Sequence, residues 1–456
     1  MRPIRSLPSV LLALVATFVF ALAPASAQSR LRDAETEALL DDMIAPLVEA
    51  SELEPGNVEV VLINDSSINA FVAGGQVVYV HSGLINAAET ANEVQGVLAH
   101  ELGHITAGHV VRFEERTAGM QSMTLLSLLA GAASVLAGAP AEAGMSLFGL
   151  GMQAGVANFL SFNRNQEAAT DLAGARYLSG AGISGRGMLK FFERLRNFEI
   201  RRGYSQADEA AYGRTHPLSG DRVATLRELL EKDPAWDAPE DPDLQERFLQ
   251  VRAKLFGYIA EPALTLRLYP ESDTTLAGHY ARAYAYHKDA LIAEALAAAD
   301  TLLASDPDNP YYLELQGQIL LESGRVEEAL IPLRRATRMT RNNPLIASMF
   351  GHALIATEDE SNYDEAERVL RAAVARDRFN PFAWYQLGVV YAARGDIPRA
   401  KLASAEQLVM RRSYPEALQN ALAAEAALPR GSPDWIRAQD IALEARSALE
   451  RLRDRR

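Results

Sequence analysis

The sequence predicts an α+β domain built around a metal-binding helix, followed by an all-α solenoid of helical repeats. Three observations lead there. Two short stretches rich in β-branched residues, 58–63 and 76–80, precede a helix that carries His100-Glu101-Leu102-Gly103-His104. Asn309-Pro310, Asn343-Pro344 and Asn380-Pro381 recur through the C-terminal part. Between these pairs, glycines and alanines recur at matching positions, as helical repeats require.

At 456 residues the chain exceeds one ordinary domain. It is 48% hydrophobic and 23% charged, a globular composition. The net charge of −14 argues against a nucleic-acid partner, because phosphate binding needs a basic surface. There is no cysteine, which excludes disulfides, thiolate metal sites, cysteine nucleophiles and the lipidated residue of a lipoprotein. Residues 1–27 read as an export signal. Arg2 and Arg5 form its basic start, 11–22 its apolar run, and Ala25-Ser26-Ala27 its cleavage site. Cleavage after Ala27 removes both arginines and takes the formal charge from −14 to −16. A periplasmic location fits.

Residues 35–53 have helical apolar spacing. Strands at 58–63 and 76–80 flank a turn-like stretch containing Asn64-Asp65-Ser66-Ser67 and Gly74-Gly75. Thr90-Ala91-Asn92-Glu93 is a capping box, so a helix starts there. Residues 118–162 are rich in Ala, Gly, Leu and Met, with Glu142 their one charged residue. Pro140 and several glycines argue against a single spanning helix. Two readings fit this segment: buried helices over the first domain, or a hydrophobic flap with peripheral membrane contact. Helices are expected over 165–202 and 221–232, and an acidic, Pro-rich linker over 234–242. In the repeats, Pro310, Pro344 and Pro381 lie 34 and then 37 residues apart, close to the tetratricopeptide period. Gly317, Gly351 and Gly388 match in the first helix of each unit; Ala295, Ala329, Ala366 and Ala400 match in the second. The three extra residues fall in the loop 357–362. The expected organisation is therefore a signal at 1–27, a first domain at 28–233, a linker at 234–242 and repeats at 243–456.

His100 and His104 lie four apart on a helix, so both imidazoles reach one ion, and neutral imidazole suits zinc. Glu101, one position further round, can accept a proton without ligating the metal. A catalytic zinc site needs a third ligand and an open position. His109, nine residues after His100, points away on a continuing helix, and the third-histidine pattern of other zinc peptidases would require Val110 to be His. His109 therefore reads as a non-ligand. In the segment 163–171, Glu167 and Asp171 stand four apart. They can serve as ligand and as acceptor for a histidine N–H, or simply favour a helix N-terminus.

Together, His100-x-x-x-His104 and Glu167-x-x-x-Asp171 resemble the gluzincin family that contains the HtpX-type and CAAX-prenyl endopeptidases. An exported peptidase domain followed by tetratricopeptide repeats is similar to its periplasmic, repeat-bearing members. The resemblance implies an α+β zincin-type metallopeptidase domain followed by an all-α tetratricopeptide-repeat solenoid. It implies one zinc per chain on His100, His104 and Glu167, with Asp171 behind a ligand. Thr215-His216-Pro217 and Arg222 match a further family segment. This puts His216 beside the zinc, either stabilising an oxyanion or filling the open position at rest. Asn163-Arg164 stands where the family often has Ser-Arg, a departure that touches no ligand. The segment 69–81 matches the strand above the helix, to whose edge a peptide can add.

Two functions follow. The first is a zinc endopeptidase of the periplasm that degrades unfolded or misassembled envelope proteins. Its repeats would bind clients or the outer-membrane beta-barrel assembly machinery. The alternative is a chaperone-like adaptor with a largely latent metal site. The presence of Glu101 with the full ligand set favours the enzyme.

Overall fold

The computed structural model describes residues 29–108, 164–202, 216 and 218–454. The expected signal and its cleavage site, the segment 118–162, and His109, Val110, Thr215 and Pro217 lie outside the described residues. Among the described residues, no helix is long and apolar enough to cross a membrane.

A four-stranded sheet opens the chain, with strands β1 (Ser29–Arg30), β2 (Glu59–Asn64), β3 (Ala70–Ala73) and β4 (Val77–His81) in the order β1-β2-β4-β3. β2 and β4 pair in parallel, Val61 opposite Tyr79, and both outer pairs are antiparallel. The segment 69–81 is thus two strands rather than one. Gly74 and Gly75 take φ of 65° and 105°, conformations open to a residue without Cβ, and turn the chain into a hairpin. β3 forms the edge, and β4, with Val78 and Val80 fully buried, is interior.

Helix α1 (Ala34–Ala50) begins at Asp33, whose carboxylate accepts from the Thr36 N–H at 2.8 Å, and buries Leu39, Leu40, Met43 and Leu47 on the sheet. After the short α2 (Ser82–Ala87) comes α3 (Ala91–Thr106), which carries both histidines. The stretch expected to be helical over 165–202 is two helices: α4 (164–180) and α5 (Arg186–Arg202). They part where Gly182 takes φ 67°. α6 (Gly220–Leu230) follows.

Residues 231–237 form turns, and Asp241 caps α7 (Pro242–Ile259). Phe248, Val251 and Leu255 of α7 lie in the same apolar core as Val94, Leu98 and Leu189. On its other side α7 packs along the helix Leu276–Lys288, and Tyr312 donates to Gln250 at 2.6 Å. The helix expected to open the repeats is therefore shared between the two parts.

Beyond it the chain is a succession of helix pairs. Asn309, Asn343 and Asn380 cap the first helices, each with Pro at the first turn. Gly317 and Gly351 let those helices close on Leu333 and Leu370; a Cβ would lie 2.5 and 2.6 Å from the leucine side chains. The extra residues of the long repeat form the 3₁₀ turn Glu360–Asn362.

A buried ionic knot joins the N-terminal segment to the repeats. Lys254 holds Asp33 at 2.6 Å and Glu35 at 3.1 Å, and Tyr280 donates to Glu35 at 2.6 Å. Glu314 is near, with one carboxylate oxygen buried and unbonded. Burial, opposed by Lys254 and reinforced by Asp33 and Glu35, raises its pKa from 4.5 to about 8. A carboxyl group raised in this way stabilises the fold fully below its unfolded value, and that contribution is lost as pH rises through 8. Between about pH 5 and pH 8 the wild type is expected to lose more Tm than Glu314→Gln, by on the order of 5 °C. Equal slopes in a calorimetric pH series would refute this.

Candidate metal centre

The site begins with the anchoring of α3. The Thr90 hydroxyl accepts from the Glu93 N–H at 3.2 Å. The Glu93 carboxylate accepts from the Glu89 N–H at 2.7 Å, one residue before the position a standard capping box uses. Gln245 of α7 accepts from the Ala91 N–H at 2.8 Å. With its start fixed, α3 is crossed closely by α4. A Cβ on Gly103 would lie 2.9 Å from the Thr170 carbonyl oxygen, and one on Gly174 would lie 3.1 Å from the carbonyl oxygen of Ala99. Two glycines at the crossing bring the backbones together, and Glu167 and Asp171 of α4 reach the histidines of α3.

Four donor atoms converge. His100 Nε2 lies 3.2 Å from His104 Nε2 and 3.2 Å from His216 Nδ1. Glu167 Oε2 lies 3.2 Å from His216 Nδ1 and 3.5 Å from His100 Nε2, while its Oε1 is 3.5 Å from His104 Nε2. Behind them, His100 Nδ1 meets Asp171 at 3.0 Å. Arg222 donates to both oxygens of Asp171 at 2.8 Å and lies 3.1 Å from Glu167. Ser219 caps α6 and so fixes the first turn that bears Arg222. Phe192 of α5 presents its ring edge-on to His100, with centroids 5.5 Å apart.

The arrangement fits a metal ion on two counts. A tetrahedral ion with bonds of roughly 2.0–2.1 Å needs ligand atoms about 3.3 Å apart, and the observed separations bracket that value. The charge also fits. Glu101, Glu167 and Asp171 are buried against one buried guanidinium, Arg222, leaving two uncompensated negative charges when the imidazoles are neutral. A divalent cation cancels them. His100, His104, Glu167 and His216 can hold such an ion.

Glu101 stands apart from the donor group. Both of its oxygens are buried without a hydrogen bond, and the nearest imidazole nitrogen, His216 Nε2, is 3.6 Å away. Burial raises its pKa, only partly offset by His216 and His100, which strengthens it as a proton acceptor. Burial also works against the charged forms of Glu167 and Asp171. There it is overcome, by His216 and His100 for Glu167 and by His100 and Arg222 for Asp171, so both stay below the usual carboxylate range. His100 is desolvated, yet its bonds to Asp171 and Glu167 raise it to about 9.

Each site residue expected from the sequence is thus found in one cluster: His100, Glu101, His104, Glu167, Asp171, His216 and Arg222. Phe192, Gly103 and Gly174 were not singled out. Their only signal is a glycine or an aromatic at a helical position, which many core residues share.

Residues 31–230 match the profile of peptidase family M48, and residues 280–344 and 356–417 match that of a tetratricopeptide repeat. The beta-barrel assembly-enhancing protease of Escherichia coli is 28% identical over 353 residues, covering 76% of this chain and 69% of that protein. A candidate protease of the same name from Vibrio cholerae is 30% identical over 264 residues, 56% of this chain. The match spans about half, 52%, of that relative's length. Metalloprotease LoiP of Escherichia coli is 28% identical over 180 residues, covering 40% of this chain and 65% of LoiP.

The glycine crossing generates a test. Gly103→Ala improves helix propensity but pushes a methyl into the Thr170 backbone, with an expected net cost of about 1–3 kcal/mol. Calorimetry should show a lowered Tm, and titration weakened divalent-metal binding. An unchanged or raised Tm with full metal affinity would mean that the close approach does not set the site.

Proposed function

With a peptidase family M48 domain at residues 31–230 and tetratricopeptide repeats behind it as the premise, we propose that the chain is a zinc-dependent endopeptidase of the periplasm that degrades misfolded or stalled envelope polypeptides. The observation that carries the reading is the buried carboxylate of Glu101, unbonded and beside a four-donor cluster. His100, His104 and Glu167 would hold one zinc ion. Bound there, zinc supplies Lewis acidity toward a peptide carbonyl and toward water. Glu101 takes the proton of the attacking water and passes it to the leaving amine. Asp171 orients His100 by accepting its Nδ1 proton, and Arg222 holds Asp171 in place. A client strand adds to the edge of β3 by main-chain hydrogen bonds, which demand little of its sequence. The repeats bind clients or the outer-membrane assembly machinery. The proposed domain limits are 28–233 and 243–456, with α7 packed against both.

His104→Ala is expected to lose metal and activity together, whereas Glu101→Gln keeps the metal and loses cleavage of an unfolded substrate. Near-stoichiometric zinc in the first variant would overturn the ligand assignment. Wild-type rates in the second would overturn the base.

The position of His216 favours a restrained enzyme. Its Nδ1 lies as close to the donor atoms of His100 and Glu167 as the ligand atoms lie to one another. If it fills the fourth position at rest, His216→Ala raises basal cleavage at equal zinc occupancy. If it stabilises the oxyanion instead, the same change lowers the rate by about 100-fold or more. Initial rates decide between the two.

A further inference from the structure

A cavity of about 380 Å³ lies where the start of α3 meets α1, the loop between α4 and α5, and the start of α7. Ala91, Asn92 and Gln95 present one face of α3 to it. On a helix of 3.6 residues per turn, Gln95 stands roughly 140° around from His100. The cavity and the metal donors are therefore on different flanks of α3.

Gln95 is the residue here that the fold does not explain. It is 7% exposed, and its carboxamide makes no hydrogen bond among the described residues. Burying an amide without a partner is destabilising. Its neighbour Asn92 shows the contrast. Asn92 Nδ2 donates to the Ser184 carbonyl at 2.8 Å, and its Oδ1 accepts from the Gly187 N–H at 2.8 Å, so that amide ties α3 to α5 and the loop before it. Gln95 ties nothing, and it lines the cavity.

The cavity is also acidic. Asp42, Glu240, Asp241 and Asp243 line it beside one basic residue, Arg247. Arg247 is committed to Asp42 at 2.6 Å. The Asp241 carboxylate caps α7, accepting from the N–H groups of Asp243 and Leu244 at 2.9 and 3.2 Å. Among the described residues no ion pair holds Glu240, Asp241 or Asp243, so three negative charges remain. The N-terminal ends of α3 and α7 also meet here, and by offsetting about half a charge each they leave about two. The rest of the wall is apolar, with Pro46, Ile183 and Leu244 half-buried.

We propose that this cavity docks an arginine side chain of a partner polypeptide. The guanidinium lies between the Gln95 carboxamide oxygen and the carboxylates of Glu240 and Asp243, and its methylene stem runs along Pro46, Ile183 and Leu244. A planar guanidinium carries five N–H donors, so one group serves an amide oxygen and two carboxylates at once. It also gives up water more readily than an ammonium does. A metal ion fits less well, because among the described residues only the His100 group brings its donor atoms close enough to share one. The volume suits one or two side chains rather than a helix. A chain anchored here stays clear of His100 and Glu101, so the site recruits a partner rather than presenting a bond for cleavage. The inference goes beyond the proposed peptidase activity and does not rest on it.

The test uses the full chain as purified and a fluorescein-labelled, C-terminally amidated decapeptide of Gly, Ser and Leu with one central Arg. A second probe carries citrulline there, which keeps the shape and loses the charge. Binding is read by fluorescence anisotropy, and mass spectrometry checks that the probes stay intact. The arginine peptide is expected to bind about 10- to 100-fold more tightly than the citrulline peptide, the range for hydrogen bonds to a charged group. In the double variant Glu240→Gln, Asp243→Asn that preference should vanish. Both side chains are exposed, so circular dichroism stays unchanged. Gln95→Met, similar in volume, should weaken arginine binding about tenfold while holding or raising Tm, because no hydrogen bond of the fold is lost. Equal binding of the two peptides overturns the proposal. So does a preference that survives in the double variant, which reduces it to the general pull of an acidic protein. A lowered Tm in Gln95→Met overturns it too, by making that amide part of the fold. A lysine peptide bound as tightly as the arginine peptide overturns the guanidinium assignment. None of these outcomes bears on whether Glu101→Gln is inactive, so the two readings fail separately.

Discussion

The metal centre depends on how closely two helices cross. Donor atoms from α3 and α4 stand 3.5 Å apart because Gly103 and Gly174 let backbone meet backbone. Interaxial distances of 8–10 Å are ordinary when side chains separate helices. The same principle recurs on the other flank of α3. There a Cβ on Gly96 would lie 2.5 Å from Met188 of α5, and one on Gly187 would meet the Asn92 backbone. α3 is thus held from two sides at contact distance, and its histidines inherit that precision.

Around this crossing the protein gathers charge that an apolar interior would reject. Glu101, Glu167, Asp171, His100 and Arg222 are all buried. Unpaired, each would cost several kcal/mol. They are tolerated as a set because the carboxylates face imidazoles, one guanidinium and a position suited to a dication. The carboxylates of Asp171 and Glu167 that would face the ion also raise the proton affinity of His100, so protons and a metal would compete at this site. Glu101 is the exception that gives the arrangement its chemistry. It is buried with neither a hydrogen bond nor a donor-group position, and its raised proton affinity is what a base needs.

Much of this was legible beforehand, for reasons that particular residues make plain. Helix α3 announced itself through Thr90 and Glu93, and the His100–His104 spacing says which face binds. The repeats were legible because Asn-Pro caps and paired small residues recur in phase; even the 3₁₀ turn Glu360–Asn362 fell where the period stretches. Glu167 lies 63 residues beyond His104. No local pattern links them, and resemblance alone made the connection. The hairpin of β3 and β4 was hidden because Ala70–Ala73 has too weak a β-branched signature to separate from its partner. The shared role of α7 was hidden too. Its apolar positions follow helical period, and periodicity does not reveal that opposite faces meet different neighbours. The acid-lined cavity beside Gln95 collects residues from α1, α3, α7 and the loop between α4 and α5, beyond the reach of any local motif.

The double allegiance of α7 limits how such a protein can be assembled from parts. Gene fusion at the acidic, Pro-rich stretch before Asp241 would look safe, since composition marks it as a linker. A foreign array joined there would arrive without Phe248, Val251 and Leu255, and without Gln245 and Arg252, which bond to Ala91 and Ala88 at the head of α3. A seam after Ile259 keeps those contacts but gives up the Tyr280–Glu35 bond and the Arg32–Asp377 pair. An exchanged array would therefore have to leave α7 with the first domain and supply new partners for Arg32 and Glu35.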